Sequence, residues 1–125
     1  DVGEQTLLHE LRKEQVPAVR CKWLKAVAGL LANLHRFCIV HGDLKLTNIM
    51  IPPQHDSLEM PLVLIDLDAA RFGVRLTIRQ RAADLAQVLE SLPGGQASEP
   101  YRLLAEYRKA ARLTRAELRE VRDAL

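Results

Sequence analysis

Apolar residues return at steps of three and four along most of the chain, so the pattern predicts helices before anything else. Leu7, Leu8 and Leu11 mark a short amphipathic helix over residues 6–14, punctuated by Pro17. Over residues 18–37, the stripe of Val19, Trp23, Val27, Leu30, Leu31 and Leu34 predicts a longer helix whose apolar side is read as core. Cys38-Ile39-Val40 is a brief apolar run before the polar turn His41-Gly42-Asp43. Two short strands follow. Asn48-Ile49-Met50-Ile51 is stopped by Pro52-Pro53, and Leu62-Val63-Leu64-Ile65 is apolar throughout, as a buried strand is; a polar surface loop over 52–61 separates them.

Beyond Asp66-Leu67-Asp68 the pattern is helical again. Ile78, Ala82, Leu85, Val88, Leu89 and Leu92 share one face of a helix that stops at Pro93-Gly94-Gly95. Ser98 reads as the N-cap, with Pro100 in the first turn, of a helix to about residue 113. Thr114-Arg115-Ala116-Glu117 matches a capping box and opens a last helix. The expected fold class is mainly α with a small β-hairpin, in one domain covering residues 1–125.

Composition narrows the class without identifying it. The 125 residues carry 18 Lys+Arg against 16 Asp+Glu, a net charge of +2, which argues against a dedicated nucleic-acid binder. No apolar stretch approaches the roughly 20 residues of a membrane-spanning helix. The first residues, Asp1-Val2-Gly3-Glu4, do not resemble a signal segment, and without an initiator methionine the chain reads as processed or as a fragment. Cys21 and Cys38 are too few for a disulfide scaffold or a four-thiolate zinc site, and among apolar neighbours they read as two buried free thiols in a reducing compartment. His35, Cys38 and His41 stand three apart but lack an obvious fourth ligand, so zinc is the weaker reading there. Arg102, Arg108, Lys109, Arg112, Arg115, Arg119 and Arg122 alternate with Glu106, Glu117, Glu120 and Asp123, which predicts a salt-bridged exposed face.

The chemistry concentrates around the two strands. If they pair as a hairpin, Asn48 opens one strand where Asp66 closes the other, with Asp43 in the loop just before. Two carboxylates and an amide oxygen suit a hard cation such as Mg2+, which prefers oxygen ligands and keeps several waters. Such an ion most often holds phosphate, for which Lys45 supplies an opposite point charge.

His41-Gly42-Asp43-Leu44-Lys45-Leu46-Thr47-Asn48 resembles the catalytic loop of the protein-kinase-like superfamily, and Val63-Leu64-Ile65-Asp66-Leu67-Asp68 resembles its strand and metal-binding aspartate. Leu34-His35 is similar to the end of the helix that feeds that loop. Within the superfamily, H-G-D-L-K-x-x-N-I-M, L-I-D-L-D-A-A-R and R-Q-R-A-A-D-L-A most resemble the lipopolysaccharide core kinases, which phosphorylate heptose or Kdo sugars. The resemblance implies the C-terminal (large) lobe of a kinase-like α+β fold, with catalytic loop 41–48, metal-binding segment 66–68 and a helical remainder 77–125.

It also implies ATP and Mg2+ as cofactors and a sugar hydroxyl of the lipopolysaccharide core as acceptor. Asp43 would orient or deprotonate that hydroxyl, Lys45 would neutralise the transferring phosphoryl group and bind nucleotide, and Asn48 and Asp66 would hold Mg2+ and nucleotide. His41 would pack the loop. Asp84 would either anchor the loop's backbone or be a solvated helix residue. Arg71 and Arg75, in a run with Arg79 and Arg81, would contact a phosphate-bearing acceptor or an anionic membrane surface, or else be solvated. Such an enzyme would be cytoplasmic, at most peripheral at the inner membrane, and no nucleic acid is expected as partner.

The departures carry their own expectations. Gly42 replaces the arginine that answers a phosphorylated activation loop, and Leu67-Asp68 replaces Phe-Gly, so no flipping switch segment is expected. Nothing before His41 resembles the Gly-rich loop and strand lysine of the nucleotide site, so the N-lobe is expected upstream, and without it an exposed apolar upper face and little turnover. The alternatives are another small-molecule kinase of aminoglycoside type, or a non-catalytic interaction module keeping the lobe's fold.

Overall fold

A computed structural model describes residues 5–52, 62–73 and 75–125. Among the described residues five α-helices dominate, with two small antiparallel sheets between the second and third. The first helix, α1 (Leu7–Lys13), starts where the Thr6 side chain accepts from His9 N and seats Leu7 and Leu11, one turn apart, in the core. α2 (Pro17–Arg36) opens with proline in its first turn, where the missing N–H is not needed, and buries Trp23, Leu24, Val27, Ala28 and Leu31 along one face.

The chain then forms β1 (Ile39–Val40), a loop and a 3-10 turn (Leu46–Asn48), and β2 (Ile49–Met50). β3 (Val63–Leu64) pairs with β2 antiparallel, Ile49 opposite Leu64 and Met50 opposite Val63. A second 3-10 turn (Leu67–Ala69) leads to β4 (Arg71–Phe72), which pairs antiparallel with β1. α3 (Ile78–Ser91) and α5 (Arg115–Asp123) both begin on full capping boxes, at Thr77/Gln80 and Thr114/Glu117. Between them α4 (Glu99–Ala111) packs along α2, while α3 packs on α5 and touches α2 and β1. No helix among the described residues is long and apolar enough to cross a membrane.

Several expectations change. The β structure is two sheets rather than one hairpin, because the β1 run finds a partner in Arg71–Phe72, a segment too short to show any alternation. β3 is not fully buried: Val63 is 47% exposed. Ser98 precedes α4 but makes no side-chain cap, since its backbone is already helical and the hydroxyl is not aimed at the first-turn amides. Cys38 is exposed, on a left-handed turn (φ 58°) where the chain leaves α2, and Cys21, within α2, is partly exposed. Val63, Leu67 and Phe72, on segments flanking Asp66, are exposed apolar residues. The surface-loop reading of residues 53–61 and the reading of residues 1–4 lie outside the described residues.

Candidate active site

The loop after β1 is held from within the core. Asp84 of α3 is 1% exposed, and an aspartate so deeply buried needs partners for its charge. It has three. The backbone N–H groups of His41 and Gly42 donate to its two oxygens at 3.2 Å each, and His35 Nε2, at the end of α2, lies 2.9 Å away. The network continues through His35 Nδ1 to the Tyr107 hydroxyl (2.7 Å), which Arg81 Nη1 also reaches at 2.7 Å. The order of donors that satisfies every group is Arg81 to Tyr107 to His35 to Asp84. Burial pushes the Tyr107 phenol up, and the Arg81 hydrogen bond opposes that rise.

His41 is fully buried and joins two segments. Its Nδ1 accepts from Asp43 N (3.1 Å), so Nε2 is the protonated nitrogen and donates to Ile65 O (3.2 Å). Ile65 N in turn donates to Asn48 O at 2.9 Å, extending the β2–β3 register by one residue. Ile65 is therefore tied to residues 41 and 48 at once, and Asp66 is the next residue along the chain.

Asn48 Nδ2 donates to Asp43 O at 2.8 Å and comes within 3.4 Å of Asp43 Oδ2. Its amide oxygen is the end turned away from that bond. Asp66 is exposed and left-handed (φ 58°, ψ 68°), a conformation aspartate tolerates better than most residues. An amide oxygen and an exposed carboxylate fit Mg2+, which is usually bound by one or two protein oxygens and completed by water and phosphate. Lys45 Nζ stands 3.5 Å from Asp43 Oδ1, both partly open to solvent, a pairing that adds little stability but sets an ammonium beside the carboxylate.

Gly42 adopts φ +86°, and a Cβ there would lie 2.5 Å from Ala69 O. The loop thus presses directly on the turn that follows Asp66, which only a glycine permits. Gly42→Ala is expected to cost about 1–3 kcal/mol through backbone strain and that contact. Urea unfolding checks it; a variant as stable as the parent would show that loop and turn do not press together.

The other candidates fall in different places. Asp68 lies exposed on the Leu67–Ala69 turn. Arg71 pairs opposite Val40, at the entrance to the loop, and Arg71 and Arg75 are both exposed. Arg81 leaves the arginine run for the buried network. His35 and His41 have both ring nitrogens engaged, so neither turns one toward Cys38 or a metal. Among the described residues, no three His, Cys, Asp or Glu side chains could hold a metal ion on their own.

One feature has no signal in the sequence. An open cleft of about 690 Å³ runs from Lys45 and Thr47 to Arg12 of α1 and to Glu90 and Ser91 of α3. It arises because α1 packs on the 3-10 turn, whose Leu46 N–H is capped by Ser91 Oγ at 3.0 Å. No local spacing relates residues 12, 45 and 90.

Against known proteins, a family model described as the lipopolysaccharide kinase (Kdo/WaaP) family matches residues 4–121. No curated protein matches the chain significantly.

Proposed function

The chain belongs to the lipopolysaccharide kinase (Kdo/WaaP) family, and from that premise we propose that it is the catalytic-loop lobe of an ATP- and Mg2+-dependent phosphotransferase acting on a sugar hydroxyl of lipopolysaccharide. The observation that carries the reading is the double tie of Ile65 to His41 and Asn48, because it draws the Asp66 segment against the loop that bears Asp43. In this reading Asp43 orients the acceptor hydroxyl and takes its proton late in transfer, while Lys45 faces the charge on the phosphoryl group. Asn48 and Asp66 would supply oxygens to hold Mg2+, which would contribute neutralisation of the nucleotide's phosphate charge. The acceptor sugar enters the cleft beside Lys45, and Arg71 and Arg75, exposed outside that cleft's lining, are assigned to anionic groups elsewhere on the lipopolysaccharide. The chain carries no Gly-x-Gly segment, so the remaining nucleotide contacts are assigned to an N-lobe upstream.

Calorimetry on the full gene product tests this. Mg2+-dependent ATP binding is expected, weakened at least about tenfold by Asp66→Ala and retained in Asp43→Asn, which should lose transfer instead. Binding that ignores Mg2+ or survives Asp66→Ala unchanged would overturn the metal assignment; no nucleotide binding at all would favour a non-catalytic module. A panel of lipopolysaccharide-core sugars and aminoglycosides with labelled ATP separates the two kinase readings.

A further inference from the structure

Of the basic residues at the C-terminal end, Lys109 pairs with Glu106 as the alternating pattern predicts, but the arginines of α5 do not pair with an acid among the described residues. Arg115, Arg119 and Arg122 stand at positions i, i+4 and i+7 of α5 and share one stripe of that helix. Together with Arg108 of α4 they line a groove of about 390 Å³, floored by Ala105 and Leu118, with no carboxylate in its wall. Among the described residues, no ion pair joins Arg115, Arg119 or Arg122 to an acid. Glu117 is occupied at the capping box, where its carboxylate accepts from Thr114 N at 2.9 Å, and Glu106 pairs with Lys109. Arg108 Nη1 reaches Leu113 O at 3.3 Å, which fixes one guanidinium at the junction of the two helices.

Four guanidinium groups around one groove repel each other, and an anionic partner relieves that repulsion. The chain as a whole carries only +2, so the charge is a local feature of this face rather than a general one. Tyr101 lies one turn before Ala105 on the same stripe of α4 and is 68% exposed. An exposed tyrosine beside arginines over a small apolar floor suits a membrane interface, where phosphates meet acyl chains and amphipathic rings settle at headgroup depth.

We propose that the groove between α4 and α5 docks the protein on the surface of a bilayer containing anionic phospholipid. Arg108, Arg115, Arg119 and Arg122 take the phosphates, and Tyr101 rests among the headgroups. Contact is peripheral, and it is independent of the phosphotransfer reading because its test involves neither nucleotide nor turnover.

The test is cosedimentation with vesicles of phosphatidylcholine alone or with about one third phosphatidylglycerol. The chain is expected to bind the anionic vesicles and not the neutral ones, with binding that falls as salt rises. The triple variant Arg115→Gln, Arg119→Gln, Arg122→Gln is expected to bind about 100-fold more weakly, roughly fivefold per arginine. All three side chains are exposed, so the fold should hold, and an unchanged helical dichroism spectrum verifies it. A charge-matched control replaces Lys22, Lys25 and Arg36 of α2 with glutamine and should bind like the parent. Equal losses in both triples would overturn the proposal in favour of diffuse charge. So would equal binding to neutral vesicles. Saturable binding of inorganic phosphate, or of an RNA oligonucleotide, that the α5 triple abolishes while vesicle binding persists would reassign the groove.

Discussion

Asp84→Ala should destabilise the fold by about 3–5 kcal/mol, a large part of the stability of an ordinary domain. The substitution removes the acceptor for three buried donors, the His41 and Gly42 amides and His35 Nε2, while leaving the donors in place. Each buried donor without a partner costs about 1–3 kcal/mol, and the three are coupled, so their costs do not simply add. His35 is also held by Tyr107, so the damage spreads through the contact between α2 and α4. Asp84→Asn should be milder, about 1–3 kcal/mol, because its one oxygen can still accept while its NH2 group faces a donor. Urea denaturation measures both. The amides of residues 41–43 should also exchange faster with solvent in either variant, since local opening of the loop requires breaking these bonds first. An alanine variant within about 1 kcal/mol of the parent would mean that the carboxylate does not carry the loop.

The helices were legible because their signals are local. Thr114 reads out as a capping box from neighbours within three positions, whereas the box at Thr77 is seen only in the structure and Pro17, read as a break after the first helix, is the first residue of α2. The pairing of β2 with β3 was legible too, since two apolar runs flanking a Pro-rich polar stretch have few other ways to pair. What escaped depends on contacts across the chain. Arg71–Phe72 becomes a strand only because Ile39–Val40 lies beside it. Cys38 has apolar neighbours in sequence, yet it stands exposed on a left-handed turn.

The site divides along the same line. Asp43, Asn48 and Asp66 stand out by residue type at loop and strand boundaries. The partners that hold the loop do not, because His35, Asp84 and Tyr107 are drawn from three helices, 49 and 72 positions apart. Asp84 could be singled out by resemblance, but its three donors are visible only in the folded chain. The C-terminal charges show the converse error. Acids and bases that alternate in sequence suggest pairs, yet a helix sorts them by angle, and on α5 the arginines gather on one stripe while Glu117 is taken by its own cap.

Glu99→Ala is expected to be comparably damaging, about 3–5 kcal/mol, for a reason no pattern in the sequence announces. Arg20 lies on the apolar stripe of α2, only 4% exposed, and meets Glu99 at the start of α4 in a two-pronged pair, Nε to Oε2 at 2.8 Å and Nη2 to Oε1 at 2.9 Å. The same guanidinium donates to Leu11 O, to Glu14 O at 3.2 Å and to Pro93 O at 3.4 Å. It thereby ties the end of α1 and the end of α3 to the junction of α2 and α4. The Glu99 hydrogen bond holds its pKa above the usual arginine value although burial works the other way. Gly95 lies close over the pair; a methyl group there would run into Glu99 Oε1 and stand 2.7 Å from Arg20 Nη2. Removing Glu99 leaves a buried cation with carbonyl partners only, whereas removing both charges does not. The double variant Arg20→Met, Glu99→Leu should therefore be more stable than Glu99→Ala alone, short of the parent by about 1–2 kcal/mol for the carbonyls that lose their donor. Urea unfolding of Glu99→Ala, of the double variant and of its two single variants, Arg20→Met and Glu99→Leu, decides it. A double variant as unstable as the sum of the single changes would mean that the two charges act independently, and that the geometry of the pair contributes nothing of its own.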